Sequence, residues 1–124
     1  MTLAPTGSEA HFTCVEDDGA VVVTFIRPQL TDEDNIEQMG DALFALLDKD
    51  AKTRIILDLS PLDYVTSSVL GKFITLHRRL HRQGGVLVLC SLQPNVREAL
   101  RASRLLEYFV TTDSLEAARA ALTA

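Results

Sequence analysis

The stretch "LDYVTSSVLGKFITLHRRLHRQGG", residues 62–85, joins a hydroxyl-rich loop to an amphipathic segment and ends in two glycines. Apolar residues recur at intervals of three and four, which predicts a helix over residues 67–82 with one stripe against a sheet. That stripe consists of Leu70, Phe73, Ile74, His77, Leu80 and His81. Gly84 and Gly85 are placed to end the helix in a left-handed turn.

Three hydroxyl residues in a row, Thr66, Ser67 and Ser68, stand where this helix begins. The position suits a helix N-cap, a catalytic nucleophile or a phosphorylation site. A serine nucleophile elbow requires a Gly-x-Ser-x-Gly turn, which the sequence lacks. The chain has three histidines, and His77 and His81 fall on the predicted buried side of the helix. Serine hydrolase chemistry is therefore disfavoured, and no enzymatic activity is expected.

The sequence before and after this stretch contains further predicted strands and helices. Periodicity and turn signals predict strands over 11–16 and 20–26, a helix over 32–49, a strand over 54–59, a strand over 86–91, a helix opened by Pro94, a strand over 108–110 and a terminal helix capped by Thr112 or Asp113. This order predicts an α/β fold, a single-domain layer sandwich with a mixed β-sheet and about four helices. Residues 1–10 are predicted to form a flexible N-terminal lead and residues 11–124 the folded domain.

Composition narrows the classes of function. The 124 residues are 47% hydrophobic and carry a net charge of −5, which is typical of a globular domain and disfavours nucleic-acid binding. No apolar run approaches the roughly 20 residues that membrane insertion needs. Cys14 and Cys90 lie in separate predicted strands and are expected to be reduced thiols, which favours a cytoplasmic location. His77 and His81 are spaced for a metal but lack a local third ligand, so no metal or other cofactor is expected.

The second face of the central helix carries both apolar and cationic groups. Val69, Lys72, Leu76 and Arg79 recur along it, and such a mixture is typical of a transient interface. We therefore predict that this face contacts a partner protein. Gly71, one residue after Leu70, offers a point at which a neighbouring element could approach closely.

A response-regulator receiver is one alternative. The stretch "IILDLSPLD" resembles the phosphoacceptor strand of a receiver, and Asp17 and Asp18 resemble its acidic pair. Receivers also need a lysine near the end of the last strand, but no lysine follows Lys72. The acidic pair falls in a turn between two early strands, so the receiver hypothesis is disfavoured.

A second resemblance covers almost the whole chain. The succession "RIILDLSPLDYVTSSVLGKFITLHRRLHRQGGVLVLCSLQPNVREAL" resembles the STAS domain family, and within it the bacterial anti-sigma-factor antagonists. Their loop reads Leu-x-aromatic-x-Asp-Ser-Ser-Gly-Leu-Gly, and the matching residues here are Leu62, Tyr64, Ser67, Ser68, Leu70 and Gly71. Downstream, Gly84, Gly85 and Pro94 also match. The family acid is replaced by Thr66 and the glycine after the second serine by Val69.

The resemblance implies a regulator that acts by binding. Its partner would be an anti-sigma factor with serine-kinase activity. That kinase would phosphorylate Ser67, with Ser68 and Thr66 as alternative acceptors. A PP2C-type phosphatase would remove the phosphate and restore binding. The surface around the acceptor, including Thr66, Ser67, Ser68 and Val69, would contact the partner. The protein would be a monomer or a weak dimer. The alternative, favoured by the replacement of the family acid, is a non-phosphorylated STAS scaffold subunit of a stress-signalling or transport assembly.

Overall fold

The computed structural model describes residues 2–3, 12–17, 19–26, 33–48 and 54–123. Its strands are β1 (Thr2–Leu3), β2 (Phe12–Asp17), β3 (Ala20–Phe25), β4 (Arg54–Asp58), β5 (Val86–Cys90) and β6 (Val110–Thr112). Its helices are α1 (Glu33–Asp48), α2 (Ser67–Arg82), α3 (Pro94–Ala102) and α4 (Leu115–Thr123). Among these described residues, no helix is both long and apolar enough to cross a bilayer.

The strands form one mixed sheet in the order β1-β2-β3-β4-β5-β6. The pairs β1–β2 and β2–β3 are antiparallel, whereas β3 to β6 run parallel to one another. Val23 pairs with Leu57, and Leu57 with Leu89, so the central residues of three strands form one buried row. Because side chains alternate along a strand, this register gives each face of the sheet its own set of apolar residues.

Helices cover the two faces of the sheet unequally. The larger core lies between one face and helices α1, α2 and α3, and it includes Phe25, Leu57 and Phe73. The smaller core lies on the other face, where Ala118 of α4 packs with Ile56 and its strand neighbours. The predicted layer sandwich with a mixed sheet and four helices is therefore confirmed.

Several predicted boundaries shift in the structure. Strand β1 was not predicted: Thr2–Leu3, within the predicted flexible lead, pairs with β2, while residues 4–11 lie outside the described residues. The strand predicted over 108–110 is instead Val110–Thr112. The amide of Phe109 donates to the carbonyl of Leu105, which keeps this residue in a turn and not in the ladder.

The cap of α4 also differs from the prediction. Neither Thr112 nor Asp113 caps the helix; the hydroxyl of Ser114 accepts a hydrogen bond from the amide of Ala117 at 3.0 Å. Thr112 instead donates from its hydroxyl to the carbonyl of Ser114 at 2.9 Å, which braces the capping residue. The end of β6 and the start of α4 are therefore joined by side-chain hydrogen bonds.

Helix α2 ends as its sequence predicts. Gln83 is the C-cap, and Gly84 adopts a φ of 75°, which favours glycine because it has no Cβ. The amide of Gly85 donates to the carbonyl of Leu80 at 2.8 Å and closes the helix. This turn directs the chain from α2 straight into β5.

The two cysteines lie in different parts of the core and are both free thiols. Cys14 belongs to the larger core and Cys90 to the smaller one, and burial raises the pKa of each thiol to about 11.

Because both cysteines are free thiols, we expect reductant to leave the melting temperature of the protein unchanged. We also expect both thiols to react slowly with a thiol reagent at pH 8 and fast after unfolding, because little thiolate forms in the fold. A lower melting temperature in reductant would contradict this prediction.

Candidate functional site

The loop between β4 and α2 is held to the core by apolar side chains that recur every three residues. Leu59 and Leu62 are fully buried and Val65 is 4% exposed. The amide of Leu59 donates to the carbonyl of Cys90, and the amide of Leu62 donates to the carbonyl of Leu59. These contacts fix the direction in which the chain enters α2.

The three hydroxyl residues at the entrance have different roles. Thr66 is the N-cap of α2, and its hydroxyl accepts a hydrogen bond from the amide of Val69 at 3.2 Å. The Thr66 side chain is only partly accessible, whereas Ser67 and Ser68 are exposed. Thr66 therefore performs the capping that an aspartate would perform at this position. Ser67 and Ser68 are left free for another use.

The predicted partner face of α2 is largely wrong in its placement. Val69 is 1% exposed and Leu76 is fully buried, so neither can contact a partner of the folded chain. Lys72 donates from its Nζ to Glu37 of α1 at 2.7 Å. Arg79 lies over the ring of Phe44 of α1, with 4.5 Å between its Cζ and the ring centroid.

This face of α2 therefore forms the interface with α1. Both helices lie on the same face of the sheet, so the mixture of apolar and cationic groups meets a neighbouring helix. The aliphatic stems of Lys72 and Arg79 cover apolar surface while their charged ends stay at the edge.

The close approach predicted at Gly71 occurs elsewhere. A β-carbon added to Gly40 of α1 would lie 2.7 Å from Cδ of Lys72, so the side chain of Lys72 packs directly on Gly40. A β-carbon added to Gly71 would meet nothing within 4 Å. Gly71 is exposed in a helix interior, where glycine costs about 0.5–1 kcal/mol relative to alanine. No contact among the described residues requires a glycine at this position.

Part of the accessible surface of α2 forms one continuous stripe, which we call the outer stripe; Arg79 and His81, on either side of it, are exposed as well. At 100° per residue its members fall within about a third of the helix circumference. It consists of Ser67, Ser68, Gly71, Thr75, Arg78 and Arg82. Tyr64, 48% exposed in the preceding loop, extends the accessible surface beyond the start of the helix.

The two helical histidines lie beside the turn that precedes β6. The ring of His77 contacts Tyr108 and Phe109 edge to face, with centroids 4.9 and 5.7 Å apart, and stacks on His81 at 6.3 Å. Burial, and to a lesser extent the proximity of His81, lower the pKa of His77 below its usual value. The described residues contain no group of three or more metal-ligating side chains.

The sequence prediction missed the outer stripe. It assigned the two sides of α2 to the sheet and to a partner, but α1 occupies one of those sides. It assigned Gly71 to close packing against a neighbouring element and did not include Arg78 and Arg82 in the partner face. A helical wheel with two buried sectors, one for the sheet and one for α1, would have isolated the stripe.

Comparisons with known proteins agree with this fold. A model of the STAS domain matches residues 11–118. The chain is 41% identical over 87 residues to BtrV of Bordetella bronchiseptica, which is named as a candidate anti-sigma factor antagonist; the match covers 70% of this chain and 74% of that protein.

Two solved structures have a similar fold. An anti-sigma factor antagonist from Mycobacterium paratuberculosis superposes with a TM-score of 0.81 at 18% identity, covering 98% of this chain and 100% of its own. The phosphorylated form of SpoIIAA, a Bacillus cell fate determinant, superposes with a TM-score of 0.66 at 23% identity, covering 86% of this chain and 95% of its own.

Thr66 should be important for stability and Ser68 should not. We expect Thr66→Ala to lower the free energy of unfolding by about 0.5–2 kcal/mol, because the amide of Val69 loses its acceptor. Thr66→Asp should retain most of the stability, since its carboxylate can accept the same bond. Ser68→Ala is the matched control and should change little, and urea denaturation measures all three. Equal losses in Thr66→Ala and Ser68→Ala would contradict the assigned cap.

Proposed function

Because the chain belongs to the STAS domain family, we propose that it is an anti-sigma-factor antagonist switched by phosphorylation of Ser67. The observation that carries this proposal is the separation of roles at the start of α2. Thr66 caps the helix, while Ser67 is exposed beside it with no structural hydrogen bond among the described residues. The similarity to BtrV supports the antagonist function, and the existence of a phosphorylated form of SpoIIAA supports the switch.

The partner would bind the N-terminal half of the outer stripe. Ser67, Ser68 and Gly71 give this region a small, smooth surface, and Tyr64 stands beside it as an exposed aromatic anchor. Small side chains let a partner approach the helix backbone closely. The corrected surface thus replaces the predicted face of Val69, Lys72, Leu76 and Arg79, which packs against α1.

Phosphorylation of Ser67 would block this contact without unfolding the chain. A phosphoserine adds about −1.5 to −2 charges and three acceptor oxygens. At the N-terminus of a helix the first amides lack helical partners and the dipole favours negative charge, so the fold tolerates the group. An interface packed on a bare hydroxyl would have to desolvate the dianion and make room for it.

The partner would be an anti-sigma factor with serine-kinase activity. In its unmodified form the antagonist would sequester that partner and release a sigma factor, and a PP2C-type phosphatase would restore the unmodified form. The antagonist itself would supply a binding surface and a phosphoacceptor hydroxyl and would perform no catalysis.

A constitutive scaffold subunit is the second candidate. The observation that favours it is Thr66, which stands where the family pattern has an acid. Threonine reproduces the cap but not the negative charge, so a kinase that reads the acid would act poorly on this loop. The same outer stripe would then serve a permanent interface.

Substitutions of Ser67 distinguish the two candidates. Ser67→Ala should retain binding to the cognate anti-sigma factor and abolish phosphorylation, since it removes the acceptor and adds no bulk. Ser67→Asp should fold normally and bind more weakly, because it places a negative charge in the interface. Binding is measured by titration calorimetry and modification by mass spectrometry of residues 66–68. Ser68→Asp lies in the same surface and should also weaken binding, but it should leave Ser67 available for modification.

The scaffold hypothesis predicts a different pattern. None of the three hydroxyls would be modified by the kinase, and Ser67→Asp would bind as tightly as the parent. Modification of Ser68 alone would move the switch by one residue and would contradict the assignment to Ser67.

Gly71 provides a test that is independent of phosphorylation. Gly71→Ala should raise the free energy of unfolding by about 0.5–1 kcal/mol, since the new methyl group meets no neighbour. It should weaken partner binding by about 1 kcal/mol or more, because the methyl group intrudes into a packed interface. Gly40→Ala is the matched control, since its methyl group points at Lys72 inside the fold and should leave binding unchanged. Unchanged binding in Gly71→Ala would place the interface elsewhere.

A further inference from the structure

A second concave site opens at the other end of α2. It has a volume of about 360 Å³ and is lined by His77, Arg78, His81, Arg82 and Tyr108. At a rise of 1.5 Å per residue, about 16 Å of helix separates position 67 from position 78. This pocket is therefore distinct from the region around Ser67, and its use does not depend on the proposed phosphorylation.

The charge in this pocket is uncompensated. No carboxylate lines it, and within the described part of the chain neither Arg78 nor Arg82 makes an ion pair. Another pocket of about 330 Å³ contrasts with it, because its lining includes the carboxylate of Glu107 as well as Arg101 and Arg104. Two free guanidinium groups one helical turn apart are notable in a chain whose net charge is −5.

The wall of the pocket is aromatic and holds one unused polar atom. Tyr108 is 42% exposed and packs edge to face on His77. The Nδ1 atom of His77 is buried and has no hydrogen-bond partner among the described residues. The pocket thus combines two cations with a flat aromatic surface, while the buried Nδ1 of His77 lies behind that surface.

We propose that this pocket binds a small phosphate monoester. Arg78 and Arg82 would hold the phosphate, and Tyr108 with His77 would contact its organic group. Guanidinium groups match the geometry of phosphate oxygens and are weakly hydrated, and two of them balance a dianion. The volume exceeds that of phosphate alone and lies near the lower end of the roughly 300–1,000 Å³ of small-molecule sites.

Phenyl phosphate is a direct probe of the pocket. In titration calorimetry of the full chain we expect saturable binding of phenyl phosphate, tighter than that of inorganic phosphate or of phenol. The same monoester chemistry could come from a free metabolite or from a phosphorylated side chain of another protein. A phosphoserine peptide that binds more tightly than free phosphoserine indicates the protein source, and equal affinity indicates the metabolite. Both results retain phosphate-monoester recognition.

Charge-matched variants test the position of the site. Arg78→Gln and Arg82→Gln should each weaken phenyl phosphate binding about tenfold or more, because each loses a charge-assisted hydrogen bond. Arg97→Gln removes the same charge from α3, where Arg97 pairs with Asp113, and should change affinity little. All three residues lie at the surface, so melting temperatures should stay near that of the parent. Absence of saturable binding, or equal weakening in all three variants, would overturn the proposal.

Discussion

Burial of helix α2 on two sides is the constraint on which the rest of the site depends. Lys72 and Arg79 contact α1. The buried side chains of α2 all belong to the larger core: Val69, Leu70, Phe73, Leu76 and Leu80. Each such side chain contributes about 1.5–3 kcal/mol when it leaves water, so the rotation of α2 about its axis is strongly fixed. What remains accessible is the outer stripe together with Arg79 and His81 beside it, and this set follows from what the core and α1 already cover.

The outer stripe begins at the N-terminus of α2, where one residue caps the helix and another exposes its hydroxyl to a partner. A lone serine that both capped the helix and accepted phosphate would have to rearrange its capping hydrogen bond on modification. Here Thr66 holds the amide of Val69, so the hydroxyl of Ser67 can change chemically while the first turn stays intact. The loop anchored by Leu59 and Leu62 keeps this entrance in place relative to the sheet.

The two ends of the outer stripe have opposite electrostatic character. The N-terminal end carries small neutral groups at the positive end of the helix dipole, where an added anion is tolerated. The C-terminal end carries Arg78 and Arg82 at the negative end, where cations are favoured. Both ends face the same side of the molecule. A long partner lying along α2 would meet both, while a small ligand would occupy only the cationic end.

The order of elements was predictable because local patterns determine it. Alternating apolar runs, the glycines after α2 and Pro94 at the start of α3 act over a few residues, and the structure keeps all three. Short elements were less predictable. Tyr108 and Phe109 have the composition of a strand, but the hydrogen bonds to Leu105 hold them in a turn. Strand β1 has only two residues and depends on its neighbour β2.

The same distinction between local patterns and contacts distant in sequence applies to the candidate site. The sequence by itself determined that hydroxyl residues begin α2, that the helix ends at Gly84, and that the chain matches the STAS pattern. Only the tertiary structure decided that Thr66 caps, that Val69 and Leu76 are buried, and that the Lys72 side chain packs on Gly40 of α1. The physical reason is that helical periodicity reports which residues share a side of a helix. Which element covers that side depends on contacts between segments distant in sequence, and no local pattern encodes them.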